Sequence, residues 1–184
     1  MKITKIFAAL LITALSAGTA ATQDHGYKTT MDPVHSHDCR NELGLSGGAI
    51  YEPASGEWGA GAHIHFFRTF APESRWAYGV GLEQVWAGSG HVNMSLGVRY
   101  EPWPRLEIAL MPGVTFGKHD DHHVDTELDH SDIHEGYRAS FAAHAEVVYN
   151  LLEAGRWHFG PALDYAWTKE HDHFMLGVHA AYCF

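Results

Sequence analysis

After its opening segment the chain has no apolar run of the 18 or so residues that a transmembrane helix needs. Basic residues are scarce too. Twelve Lys and Arg stand against 22 Asp and Glu, a formal net charge of -10, which argues against nucleic acid and against polybasic docking on anionic lipid. Cysteine occurs only twice. Neither copy lies in the histidine-rich outer loops described below, so thiolate, the soft metal ligand, is missing there. The HExxH metalloprotease motif is also missing: in "HSDIH" (130–134) Ser131 stands where that motif has its glutamate.

The opening residues read as a secretory signal peptide. Lys2 and Lys5 supply a positive start, Ile6 to Gly18 an apolar stretch, and Gly18, Ala20 and Ala21 small residues for cleavage. The expected organisation is a signal peptide at 1–21, an irregular periplasmic tail at 22–41 and one domain at 42–184. No cysteine sits at the cleavage site, which argues against a lipoprotein. Removing two lysines leaves a mature charge of about -12.

What the chain has instead is alternation. In "WHFGPALDYAW", Trp157, Phe159, Pro161, Leu163, Tyr165 and Trp167 fall on one face, and His158, Gly160, Ala162, Asp164 and Ala166 on the other. A strand separates these sets and a helix mixes them. Eight such segments are expected, at 42–51, 57–70, 75–88, 91–101, 105–118, 135–150, 156–169 and 172–184. The pattern slips near Phe66 to Arg68, where a bulge is expected, and Gln84 interrupts an apolar face. Trp76 and Trp86, Trp157 and Trp167, and Phe174 and Phe184 are each ten residues apart on one face. Ten tilted strand residues rise about 23 Å, close to the ~25 Å apolar band between the aromatic girdles of a membrane barrel. The large apolar face therefore looks outward to lipid, and the small polar face looks inward.

The connections alternate between short ("APES", "PWP", "LLEAG") and long. The longest, Lys118 to Glu135, follows the fifth segment and faces outside when the chain starts in the periplasm. On these features Glu42 to Phe184 resembles the small eight-stranded β-barrels of the bacterial outer membrane. That resemblance implies an all-β, closed antiparallel transmembrane barrel, monomeric, surrounded by outer-membrane lipid. Tyr182-Cys183-Phe184 resembles the terminal signal that such barrels present to their assembly machinery, with Phe184 last; the group's usual glycine position is taken here by His179, with Gly177 offset. The resemblance indicates architecture and leaves activity open.

An eight-stranded barrel is filled by its own side chains and is not a pore. Alternation turns His63, His65, Glu83, Arg99, Glu107, Arg138, His144, Glu146, Asp164 and His179 inward, with Arg99 expected opposite Glu107 across the "PWP" turn. One reading is a paired polar network. The other is an internal metal site made by His63, His65, His144 and His179.

Histidine is abundant, with 16 copies. His119, His122, His123, His130 and His134 crowd the third outer loop, His91 lies in the second, and His171 and His173 in the fourth. All these loops ring one end of the barrel. Imidazole with carboxylate suits Zn, Ni or Cu(II). The expected metal ligands are therefore His119, His122, His123, His130, His134, His171 and His173. A solvated acidic loop and a pH-sensing loop are the competing readings. A structural, adhesion or stress-related barrel without a specific ligand is one alternative function. A lipid A-modifying enzyme is another, disfavoured because Ser131 beside His130 and Ser89 near His91 lack an orienting acid on a rigid strand.

Cys39 precedes the first segment and Cys183 nearly ends the last. Barrel closure makes those two segments neighbours, and the envelope is oxidising, so a Cys39–Cys183 disulfide is expected. A His35-His37-Cys39 metal site and two free thiols are the competing readings.

Overall fold

The computed structural model describes residues 39–88, 90–118, 137–168 and 172–184. The expected signal peptide, the tail up to residue 38, and loop residues 119–136 and 169–171 lie outside the described residues. Every described element is a strand: β1 (Asn41–Glu52), β2 (Glu57–Thr69), β3 (Trp76–Trp86), β4 (His91–Trp103), β5 (Leu106–Lys118), β6 (Tyr137–Tyr149), β7 (Leu152–Ala154), β8 (Trp157–Thr168) and β9 (Asp172–Cys183). Each long strand pairs antiparallel with its sequence neighbour. β6 pairs directly with β8, and β9 returns to β1. These eight close into a barrel. The three-residue β7 falls within the stretch expected as a turn, and extends β8 at its periplasmic end through Leu152↔Phe159.

Closure follows from the sequence pattern. β-Branched and aromatic residues alternate with small ones, and the small ones let neighbouring backbones approach. Gly48 and Gly177 face each other across the β1–β9 seam, where a Cβ on Gly48 would lie 2.2 Å from the Leu176 carbonyl oxygen. At the end of the seam the backbone N–H of Phe184 donates to the Asn41 carbonyl, and that of Asn41 to the Phe184 carbonyl. β1 thus starts at Asn41, one residue before the expected boundary.

Polarity is inverted relative to a water-soluble domain. Leu96, Leu110, Leu163, Leu176 and Val178 are exposed, whereas Glu42, Glu83, Glu146 and Asp164 are buried. Exposed aromatics gather at the two strand ends. Trp76 meets Tyr100, and Trp157 meets Tyr182, near the periplasmic end; Tyr51 meets Trp58, and Phe141 meets Trp167, near the other. These are the two girdles expected of a membrane barrel.

Three details differ from the sequence reading. β2 carries no bulge at Phe66 to Arg68: its register runs unbroken against both β1 and β3, and Phe67 is an inward, buried residue. A lumen accepts an occasional large apolar side chain, which simple polarity counting misreads as a slip. The register shift lies instead between Tyr100 and Trp103 in β4, beside Pro102, which has no N–H to give the ladder. Arg99 stands opposite Ala109 rather than Glu107, which is its diagonal neighbour.

Cys39 and Cys183 form a disulfide with 5.3 Å between their Cα atoms and 144 residues between them in sequence. It lies beside the seam, where Glu42 pairs with Cys183. Unfolded without reductant, the protein is expected to show no titratable thiol, and Cys183→Ser to lose about 2–4 kcal/mol in reversible urea unfolding from lipid vesicles. Reactive thiols at both positions would show that the bond is absent. A second expectation tests the inverted polarity. Leu163 is at mid-height on β8 and points outward. Leu163→Arg should cost about 2–4 kcal/mol in the same assay, the penalty of a cation at the bilayer midplane. A loss below about 1 kcal/mol, the interfacial value, would place Leu163 away from that midplane.

Candidate functional site

The strand period turns the odd-numbered residues of β2–β5 and β9 and the even-numbered residues of β1, β6 and β8 into the lumen, where titratable side chains form a file from one end to the other. At the outer mouth stand Glu83, His91 and His173, whose ligand atoms lie within 4.8 Å of one another. His173 Nε2 approaches Glu83 Oε1 at 3.2 Å, and the His91 and His173 rings are 5.4 Å apart. The other Glu83 oxygen lies 3.3 Å from His144 Nε2, and His144 Nδ1 lies 3.5 Å from Asp164 Oδ1. The Asn93 amide also touches His144 Nε2.

Below them β2 meets β6 across the lumen. His63 Nδ1 and His65 Nδ1 both face Glu146 Oε2, at 3.7 and 3.8 Å. Ser46 Oγ donates to Glu146 Oε1 at 2.6 Å and lies 3.0 Å from His179 Nδ1. The His65 and His179 rings stack. Space for these rings comes from glycine: a Cβ on Gly44 would lie 2.1 Å from His65 Nε2, and one on Gly81 2.6 Å from His63 Nε2.

The periplasmic end of the file is closed by a cation. Arg99 donates to Glu42 and, at 2.8 Å, to Glu107 Oε2, while Asn150 Nδ2 donates to Glu107 Oε1 at 2.6 Å. The guanidinium also lies over the Phe67 ring. His65 Nε2 reaches toward the same Glu42 at 3.8 Å.

Of the seven histidines expected as metal ligands, His119, His122, His123, His130, His134 and His171 lie outside the described residues. His173 is described, and its place is corrected. It belongs to β9 rather than to a loop, and its side chain is fully buried in the lumen mouth. His91 likewise opens β4 instead of standing in a loop. The internal set His63, His65, His144 and His179 does not converge on one point. His63 and His65 share Glu146, whereas His144 is held by Glu83 and Asp164. Arg138 is exposed despite its inward parity, because it sits at the outer rim. Sequence reading missed Glu42, Ser46, Asn93 and Asn150, all buried here, and the inward face it gave to His158 is borne out.

A closed eight-stranded barrel with an apolar exterior and a charged interior is a small β-barrel of the bacterial outer membrane. No family model and no curated protein matches the sequence. Solved structures do resemble it in fold. Ail, the attachment invasion locus protein of Yersinia pestis, shares 13% identity at a TM-score of 0.48, over 78% of this chain and 96% of that one. Neisserial surface protein A shares 8% at 0.44, over 78% and 96%. A de novo designed transmembrane β-barrel shares 14% at 0.46, over 83% and 98%.

Arg99 is the buried cation on which Glu42 and Glu107 both depend. Arg99→Leu is expected to cost about 3–5 kcal/mol in urea unfolding, because it strands two buried carboxylates. Adding Glu107→Gln to that variant should recover part of the loss. No recovery would mean that Arg99 acts through packing on Phe67 alone.

Proposed function

We propose that this outer-membrane barrel binds divalent transition metal at its outer end. The observation that carries the reading is the convergence of Glu83, His91 and His173 at the mouth. The histidine- and aspartate-rich segment 119–136 joins β5 to β6 at that same end. Two imidazoles and a carboxylate form a borderline-hard donor set suited to Zn, Ni or Cu(II). His173 Nε2 already approaches Glu83 Oε1, and its Nδ1 has no hydrogen-bond partner. In this reading the loop histidines His119, His122, His123, His130, His134 and His171 collect ions weakly, and the mouth triad holds one more tightly. Outer-membrane lipid surrounds the barrel, and Phe184 would be presented to the assembly machinery. The fold itself serves many roles, so the reading rests on this donor set and not on the architecture.

Calorimetric titration with Zn, Ni and Cu tests it. Wild-type protein should take up several ions per chain. Replacing the five histidines of 119–136 with Ala should remove most of the weak uptake without affecting folding, since a loop adds little to the sheet. Adding His91→Ala and His173→Ala should weaken the tightest outer binding by about tenfold or more. Unchanged uptake in both variants would overturn the reading.

A further inference from the structure

The barrel interior has a charge imbalance that its own side chains leave unresolved. Among the described residues, Glu42, Glu52, Glu83, Glu101, Glu107, Glu146 and Asp164 are buried, and Arg99 is the one buried Lys or Arg. Seven carboxyl groups stand near one guanidinium, and because an uncompensated buried anion is costly, each must be protonated or meet positive charge. Six buried histidines lie among them: His63, His65, His144, His158, His173 and His179. Protons on the imidazoles are one source of that charge. A metal cation is another, and the group His63, His65 and Glu146 offers it a place deep in the lumen.

We propose that the lumen holds one divalent transition-metal ion between His63, His65 and Glu146, separate from any ion at the mouth. Both imidazoles turn Nδ1 toward the same carboxylate oxygen, at 3.7 and 3.8 Å. These separations are too long for hydrogen bonds. They lie a few tenths of an ångström beyond the ~3.3–3.5 Å between neighbouring ligands of a tetrahedral ion bound at about 2.0–2.2 Å. Both Nδ1 atoms are buried and have no hydrogen-bond partner. An ion would satisfy both at once.

The surroundings fit a metal centre as well. Ser46 holds Glu146 Oε1, leaving Oε2 free to coordinate and fixing the carboxylate plane. His65 Nε2, the ring's other nitrogen, lies 3.8 Å from Glu42 Oε1, a separation that a small shift of the ring would close to the carboxylate–imidazole–metal relation that orients ligating histidines. Gly44 and Gly81 leave room for the Nε2 edges of the two rings against the barrel wall, so the Nδ1 edges point to the axis. His-x-His on a strand supplies both rings from one inward face. Other buried polar atoms of the lumen also lack partners, but here two imidazole nitrogens are aimed at one carboxylate oxygen.

The site does not depend on the outer-end reading, and the test separates them. The folded full-length barrel is loaded with Zn(II) alone, washed with a chelator to strip loosely held ions, and analysed for metal. About one ion per chain should remain, because all three ligands are buried in the lumen. It should also remain in the variant lacking the five loop histidines. Glu146→Gln, close in shape, should lower retention at least tenfold while keeping the compact, heat-modifiable gel migration of a folded barrel. Should Glu146→Gln fail to fold, X-ray absorption at the zinc edge of the chelator-washed variant lacking the five loop histidines, His91 and His173 decides the matter. Two imidazoles and an oxygen ligand at about 2.0–2.2 Å support the site, and a spectrum without imidazole scattering overturns it. Retention abolished by the loop variant but unchanged in Glu146→Gln would also overturn it, while leaving outer-end binding intact. Loss of outer uptake with the chelator-resistant ion unchanged supports both.

Discussion

A strand inside hydrocarbon can send its backbone polar groups only to another strand, so a sheet that crosses a membrane must close on itself. In this chain the requirement falls on the β1–β9 seam. Ten residue pairs from Glu42↔Cys183 to Tyr51↔Phe174 make it, and the Cys39–Cys183 disulfide stands at its periplasmic end. Side chains then have only two directions available. Those facing outward must be apolar, and those facing inward must fit a cylinder that eight strands make only wide enough to fill. The chemistry of the interior follows from that division.

A filled lumen could have been neutral. Designing one requires only small and amide side chains, and parts of this barrel follow that rule, with Ala77, Ala109, Ala142, Ala162 and Ala166 all buried. Elsewhere carboxylates stand at successive levels from Glu107 and Glu42 through Glu146 to Asp164 and Glu83, with histidines between them. The glycines complete the arrangement. Gly44, Gly81 and Gly97 sit on the inward face where His65, His63 and Met111 occupy the space that a Cβ would need. Small residues facing large ones is how a narrow barrel accommodates imidazole rings without widening.

Much of this was legible in the sequence because a strand has a period of two and a membrane reverses the usual polarity. Nine of the ten residues read as inward are buried, Arg138 at the rim being the exception. What failed to show was contact across the lumen. Alternation says that His63 and Glu146 both point inward. It cannot say that β2 and β6 bring them within 3.7 Å, since that depends on the shear of the closed barrel. His173 was misread for a different reason. Its loop-like neighbours, His171 and Asp172, outweighed the parity argument, although Phe174 is ten residues before Phe184 on the outward face and already implied that His173 points in. Glu42 and Ser46 were missed because β1 is rich in glycine, where the alternation is weakest.

The two ends of the file differ in their chemistry, which bears on what the interior can do. The outer mouth offers Glu83 with two imidazoles. The periplasmic end presents the Arg99 guanidinium, fixed by Glu42 and Glu107 and seated over Phe67. A cation drawn inward from carboxylate to imidazole would meet a permanent positive charge before leaving the barrel, since arginine does not give up its proton at any relevant pH. Phe67 and Met111, packed together in the lumen, obstruct the same end sterically. A protein built to pass metal across the membrane would need the opposite gradient, with weak ligands throughout and no fixed cation in the path. Here the imidazoles and carboxylates are buried and the periplasmic end is blocked, so on the proposed reading an ion would be held rather than transmitted.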